Sequence, residues 1–113
     1  KSKYEIIRPK VTQDLKNEGV SLNHCVGSYV DRVSNGKTKI LFLRKKKDPE
    51  SPFVTIEVKD NKLNQVSAAY NHVPDSSVLK FLQQYCKSKK IINERYNNVW
   101  NKQQKTNRII KCN

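Results

Sequence analysis

The chain has 113 residues, of which 23 are lysine or arginine and 10 are aspartate or glutamate, giving a net charge of +13. This length fits one domain, and no apolar run approaches the ~18 residues that cross a bilayer. The first ten residues, KSKYEIIRPK, carry charges throughout and contain no apolar stretch, so we expect no signal peptide. Because the sequence contains no methionine, we expect a single domain over residues 1–113 that belongs to a longer protein.

The N-terminal third predicts one strand and two helices. Residues 4–7 have the composition of a short strand, and a first helix is expected over residues 12–18, ended by Gly19. Ser21 is the candidate N-cap of a second helix, whose apolar residues are Leu22, Cys25, Val26, Tyr29, Val30 and Val33. Their offsets of 0, 3, 4, 7, 8 and 11 define one amphipathic face.

Three runs with strand character follow, at residues 38–44, 53–58 and 63–70. The first is strongly apolar, as expected of a central strand, and the other two alternate. A tight turn at 59–62 joins the last two, so an antiparallel meander is the economical topology. The side chains expected on its polar face are Thr55, Glu57, Gln65 and Ser67.

The remaining third predicts helices and a tail. Pro74-Asp75-Ser76-Ser77 starts a helix that runs to about residue 87, and residues 91–104 form a further helical segment before the tail at 105–113. Residues 88–113 are therefore a basic C-terminal helix and tail. The predicted fold class is α+β, a small three-stranded antiparallel meander packed with about four helices.

The positive charge is concentrated in two places. Residues 76–113 hold nine lysines and arginines against one acid, Glu94, and residues 44–47 read RKKK. Such a field favours polyanions, because each neutralised phosphate releases a counterion; the alternative is a solvated basic surface. The predicted nucleic-acid-binding residues are Arg44, Lys45, Lys46, Lys47, Lys87, Lys89, Lys90 and Arg95.

Three cysteines, Cys25, Cys86 and Cys112, form no C-x-x-C pair. With His24 and His72 they do not match the spacing of a zinc site, so we expect reduced thiols in the cytoplasm, no metal and no cofactor. Cys25 lies in the first turn of the second helix, where the helix dipole favours a thiolate. It is a small buried hydrophobe, a nucleophile with His72 as its base, or a residue that shapes a site without reacting.

The polar sheet face offers a second kind of chemistry. Arg44 ends the first strand of the meander, and Glu57 and Gln65 lie on the strands beside it. If His24 joins them in one concavity, the set suits phosphodiester or glycosyl chemistry. The alternative is a sheet face that is simply solvated, which is common in antiparallel sheets.

A series of motifs runs through these same elements. It consists of H-C-V-G-x-Y at residues 24–29, Gly36, an apolar strand ending in Arg44, T-x-E at 55–57, Gln65 and Asn71. Over about residues 15–85 the chain thereby resembles the PcfJ-like family, although Ala68-Ala69-Tyr70 stands where that family has a glycine shortly before the asparagine. Its proteins are encoded on conjugative plasmids, phages and other mobile elements. The resemblance implies a role in DNA transfer, with protein partners of a transfer complex.

We therefore predict a nucleic-acid-associated domain of a mobile element, with nuclease-type hydrolysis as the preferred reaction. The predicted catalytic residues are His24, Cys25, Arg44, Glu57 and Gln65, supported by Tyr29, Thr55 and Asn71. His24 or Glu57 would act as the general base, and Arg44 would stabilise anionic charge. Two alternatives remain open: a thiol enzyme built on Cys25, and a non-enzymatic module whose segment with Tyr96 and Trp100 docks on a partner.

Overall fold

The computed structural model describes residues 2–22 and 30–96, which form a four-stranded antiparallel sheet in the order β1-β2-β3-β4 with helices on both faces. The strands are β1 (Tyr4–Ile7), β2 (Lys39–Lys45), β3 (Val54–Lys59) and β4 (Lys62–Ser67). The helices are α1 (Thr12–Leu22), α2 (Val30–Ser34) and α3 (Ser76–Lys89), with a short 3₁₀ helix at Ala69–Asn71. The predicted α+β class is confirmed.

The number of elements differs from the prediction. The sheet has four strands rather than three, because β1 pairs antiparallel with β2, setting Tyr4 opposite Lys45 and Ile7 opposite Phe42. This pairing leaves β2 between β1 and β3, in the central position that its apolar sequence predicted. Within residues 2–22 and 30–96 there are three α-helices rather than about four, and none of them is long and apolar enough to cross a membrane.

Helix α1 extends beyond the glycine that was expected to end it. It continues through Gly19 to Leu22, so Ser21, the predicted N-cap of the next helix, lies inside α1. Gly19 is buried on the same helix face as Leu15 and Leu22. Burial of that face offsets the roughly 1 kcal/mol that a glycine costs in a helix interior.

The start of α1 is fixed by an acidic side chain in its first turn. The carboxylate of Asp14 accepts hydrogen bonds from the backbone N–H groups of Lys10 at 2.7 Å and Val11 at 3.1 Å. These two bonds lower the pKa of Asp14 below its usual value. Helix α1 begins at Thr12, the first residue of the predicted helix.

The main core lies between the sheet and α3, and it is built from alternate positions of the strands and one face of the helix. Its fully buried aliphatic members are Leu41, Leu43, Val54, Ile56, Val58, Leu63, Val66, Val78, Leu79 and Leu82. Helix α3 begins at the predicted place, because the carboxylate of its N-cap, Asp75, accepts a hydrogen bond from the Val78 N–H at 3.2 Å. It ends at Lys90, whose left-handed backbone (φ 59°) turns the chain back to the sheet.

The β3–β4 hairpin has the tight turn that the sequence predicted at residues 59–62. Its two central residues, Asp60 (φ 52°) and Asn61 (φ 62°), are both left-handed, as the favoured two-residue hairpin turn requires. Beyond the turn, β4 contains a bulge, since Val58 pairs with Leu63 but Glu57 pairs with Gln65. Asn64 is therefore the extra residue on β4.

The segment after α3 is an extension of the sheet over its first residues. Ile92 pairs beside β4: its N–H donates to the Asn61 carbonyl at 2.9 Å, and its carbonyl accepts from the Leu63 N–H at 2.8 Å. Tyr96 is buried, and its hydroxyl accepts a hydrogen bond from the Val66 N–H at 3.3 Å. The helix predicted over 91–104 is thus wrong for residues 91–96, and Tyr96 belongs to the core. Residues 97–113, including the predicted tail, lie outside the described residues.

The buried thiol of Cys86 on α3 gives a direct test of this core. Its side chain is 2% exposed, and burial raises its pKa to about 11, so almost no thiolate exists at neutral pH. We expect iodoacetamide to leave Cys86 unmodified in the folded chain and to modify it in guanidinium chloride. Peptide mapping by mass spectrometry measures this on the tryptic peptide 81–87. Fast modification of that peptide in the folded chain would contradict the position of α3.

Candidate functional site

The strand alternation brings the predicted polar side chains together on the sheet face opposite α3. In the β3–β4 register Glu57 lies opposite Gln65 and Thr55 lies opposite Ser67, and Arg44 occupies the same face of β2 as Phe42, which is opposite Thr55. Helix α1 covers part of this face, packing Leu15 against Ile40 and Phe42. Polar residues of the face that are at least nine-tenths buried include Arg44, Thr55, Glu57 and Ser67. The interpretation as a solvated face is therefore wrong.

A buried ion pair joins this face to α1. The guanidinium of Arg44 donates two parallel hydrogen bonds to the carboxylate of Glu18, from Nη2 to Oε1 at 2.7 Å and from Nη1 to Oε2 at 2.8 Å. Its Nε donates to the Pro49 carbonyl at 3.1 Å, and its Cζ lies 4.8 Å from the Phe42 ring centroid. The Thr55 hydroxyl donates to Glu18 at 3.4 Å. With Arg44 and Glu18 only 6% and 1% exposed, the pair is a fixed internal contact.

A second carboxylate on the face, Glu57, is also enclosed by donors. The Thr38 hydroxyl donates to its Oε2 at 2.6 Å, and Asn64 Nδ2 donates to its Oε1 at 2.8 Å. The bulge in β4 makes the second contact possible, because it sets both Asn64 and Gln65 against one residue of β3. Arg44, which the sequence placed beside Glu57 on the sheet, is bound to Glu18 instead.

Asn71 lies in an unusual backbone segment beside α1. Tyr70 and Asn71 both have left-handed backbones, with φ of 57° and 60°, and Asn71 is 8% exposed. A non-glycine residue is uncommon in this region, whereas glycine adopts it without steric cost. The structure thus explains why a glycine would suit the stretch Ala68-Ala69-Tyr70. The Ala68 N–H donates to the His72 carbonyl at 2.8 Å and closes the turn.

Several predicted site residues lie outside the described residues, namely His24, Cys25 and Tyr29. The pocket between His24 and Glu57 therefore stays a prediction, and so does the pairing of Cys25 with His72. His72 itself is exposed, with its ring centroid 6.5 Å from that of Tyr70. Within residues 2–22 and 30–96, no three His, Cys, Asp or Glu side chains converge as a metal site would require.

The predicted nucleic-acid-binding residues differ in their exposure to solvent. Arg44 is buried in its ion pair, so its guanidinium is not available to an external phosphate. Arg95 is exposed and donates from Nη1 to the Asn64 carbonyl at 2.9 Å. The remaining predicted cations are all exposed: Lys45, Lys46, Lys47, Lys87, Lys89 and Lys90.

The residue that the sequence reasoning missed is Glu18. It was assigned only to the end of the first helix, yet it is the partner of Arg44. A signal was present, because Leu15, Glu18 and Leu22 recur at offsets 0, 3 and 7 and so share one helix face. An acid within an apolar helix face must find a buried cation or donor.

These features define an α+β domain whose sheet has an apolar face under α3 and a hydrogen-bonded polar face under α1. A family model for PcfJ-like protein matches residues 1–79, and the chain belongs to that family. The match reaches further toward the N terminus than the resemblance suggested, taking in β1. No solved structure matches the chain.

The chain is also similar to one curated protein, "Uncharacterized protein Lin1253/Lin1744" of Listeria innocua. The two are 38% identical over 77 residues, which is 66% of this chain and 17% of the Listeria protein. The chain therefore spans less than a fifth of the length of that relative.

The ion pair predicts a specific pattern of stability. We expect Glu18→Gln, and separately Arg44→Met, to lower the free energy of unfolding by about 3–5 kcal/mol, because each leaves one buried charge without its partner. The double variant Glu18→Leu/Arg44→Met should recover most of the loss, since no buried charge remains. Urea denaturation followed by circular dichroism measures the change.

The matched control is Glu50→Gln, which removes a carboxylate at an exposed position. It should change the free energy of unfolding by less than about 0.5 kcal/mol. A Glu18→Gln variant as stable as the Glu50→Gln variant would contradict the buried pair.

Proposed function

We propose that this PcfJ-like domain binds nucleic acid through exposed lysines and takes part in DNA transfer or another process of a mobile element. The observation that carries the proposal is the charge: the chain has a net charge of +13. The end of β2 and the loop after it present Lys45, Lys46 and Lys47, all exposed. The Lys46 N–H donates to the Lys3 carbonyl at 2.9 Å, which brings a fourth basic residue beside them.

These lysines are not used in holding the described fold together by ion pairing. Within residues 2–22 and 30–96 the salt bridge found is Arg44–Glu18, and it involves none of them. Lys45 instead lies with its Nζ 4.6 Å from the Phe53 ring centroid. Cations without a carboxylate partner are the groups that contact phosphates at the lowest cost in desolvation and lost pairing.

A second cluster of lysines, at the end of α3, adds to the positive electrostatic field of the domain. Lys87, Lys89 and Lys90 are exposed in or just after the last turn of the helix. Lysines at this position also complement the negative end of the helix dipole, so their presence has a structural explanation as well. The loop after β2 has no such explanation, and we therefore assign it the primary phosphate contact.

Hydrolysis is a narrower hypothesis than binding. Of its two proposed bases, His24 lies outside the described residues, and Glu57 already accepts hydrogen bonds from Thr38 and Asn64. The buried carboxylate of Glu18 likewise accepts hydrogen bonds, from Arg44. The arrangement supports a structural role for both carboxylates, so the proposal is limited to binding. The thiol-enzyme alternative depends on Cys25, which should be alkylated faster than Cys112 if a lowered pKa makes it a nucleophile.

The proposal predicts a strong dependence of affinity on salt. A fluorescein-labelled oligonucleotide, as single strand and as duplex, is titrated with the whole chain at about 50 to about 200 mM salt, and anisotropy gives Kd. We expect the logarithm of the association constant to fall linearly with the logarithm of salt concentration, by about 0.7–0.9 per phosphate contacted. Affinity that stays constant over this range would overturn the proposal.

Variants in the β2–β3 loop locate the contact. The triple variant Lys45→Gln/Lys46→Gln/Lys47→Gln should bind at least about tenfold more weakly near 100 mM salt and show a salt slope smaller by about two. Glu50→Gln, in the same loop, should move Kd in the opposite direction because it removes a negative charge. Equal affinity in the triple variant and the unaltered chain would remove the loop from the interface.

A further inference from the structure

A groove of about 770 Å³ runs between β1 and α3, and aromatic side chains line it. β1 is the edge strand of the described sheet, hydrogen-bonded to β2 on its inner side. The groove residues Tyr4, Phe81 and Tyr85 come from both of its walls. A hydrogen bond of 2.7 Å between the hydroxyls of Tyr4 and Ser77 ties β1 to the first turn of α3.

The aromatic rings form a continuous row. Starting at Phe53 beside the groove, the row passes to Tyr4 with ring centroids 6.0 Å apart, then to Phe81 at 5.6 Å, and then to Tyr85 at 6.4 Å. All four side chains pack on the main core with one side and are half-buried. Each ring therefore keeps part of its surface open to a ligand. We call these four residues the aromatic row.

Basic side chains flank the aromatic row along its length. Lys3 and Lys80 line the groove, while no acidic side chain does. Lys45 lies over the ring of Phe53 at one end of the row. Lys87 follows Lys80 by seven positions on α3 and so lies on the same side of the helix. The groove thus combines apolar rings with positive charge on both walls.

We infer that this groove binds single-stranded nucleic acid, with unpaired bases on the aromatic row and phosphates along the flanking lysines. This inference rests on the proposed function and names its substrate form. In a duplex the base faces are covered by their neighbours, whereas an unpaired base can stack on an aromatic ring and gain about 1–3 kcal/mol. A basic groove that follows the backbone is the other half of such sites. A site that binds an added peptide strand would use the backbone groups at the edge of β1 and would not need the flanking lysines.

The test distinguishes the contribution of base stacking to the binding affinity from the contribution of charge. The variants Phe81→Leu and Tyr85→Leu keep apolar volume on the core and remove the ring. The matched control is Tyr70→Leu, a tyrosine that is 60% exposed in the 3₁₀ helix after β4 and outside the groove. Each protein is titrated with an oligothymidylate of about 12 nucleotides and with a duplex of the same length. Protection of Cys86 from alkylation verifies that each variant is folded.

We expect Phe81→Leu and Tyr85→Leu each to weaken single-strand binding at least about fivefold, with the duplex affinity and the salt slope unchanged. Tyr70→Leu should bind both probes like the unaltered chain. An oligothymidylate carrying 5-iodouracil should crosslink under ultraviolet light to the tryptic peptide 81–87, which contains Phe81 and Tyr85.

The outcomes that contradict the inference are distinct from those that contradict the proposed function. Unchanged single-strand affinity in both leucine variants, or equal losses for both probes, would overturn the groove assignment while leaving nucleic-acid binding intact. Crosslinks confined to peptides outside the groove would also overturn the groove assignment. The edge of β1 would then be a candidate site for a peptide strand. No binding of either probe by the unaltered chain would overturn the proposed function and this inference together.

Discussion

The buried ion pair between Arg44 and Glu18 is the contact on which the polar side of the domain depends. Removing either charge from water is costly, and the cost is offset only while the two parallel hydrogen bonds of 2.7 and 2.8 Å are kept. The pair therefore fixes α1 against the end of β2. The Thr55 hydroxyl donates a further hydrogen bond to the carboxylate, and the Pro49 carbonyl accepts one from the guanidinium. Because apolar replacements of such pairs are often as stable, we interpret the pair as selecting one arrangement rather than adding stability.

The two faces of the sheet contribute to the fold in different ways. The face under α3 is mainly aliphatic and supplies the burial that stabilises the domain. The opposite face carries Arg44, Glu57 and their hydrogen-bond partners, which contribute little net free energy but tolerate few alternative packings. A chain with only 35% apolar residues can still enclose a core, because one sheet face and one face of α3 gather many of them into a single cluster.

The sequence predicted those elements that are determined by a pattern of a few neighbouring residues. The alternation of β3, the turn at Asp60-Asn61 and the Asp75 cap of α3 belong to this group. The pairing of β1 with β2 could not be predicted, because it joins segments more than thirty residues apart and leaves no local mark. The end of α1 was misplaced because burial of a helix face outweighed the preference of glycine for termini. For the site, alternation predicted the shared polar face, but the Arg44–Glu18 pairing is tertiary, and the bulge at Asn64 broke the period of two.

The ion pair and the aromatic row are connected through two consecutive residues of β2, Arg44 and Lys45. Successive residues of a strand point to opposite faces, so when Arg44 is held on the polar face, Lys45 must lie on the other, over Phe53. Phe53 stacks on Tyr4, which is opposite Lys45 in the β1–β2 register. The buried pair thereby sets the position of the first cation of the proposed binding surface. Arg44, Thr55 and Glu57, which carry the family resemblance in these strands, are buried and hydrogen-bonded, which suits a role in building this frame. In our proposal, the exposed lysines and the half-buried rings carry the recognition.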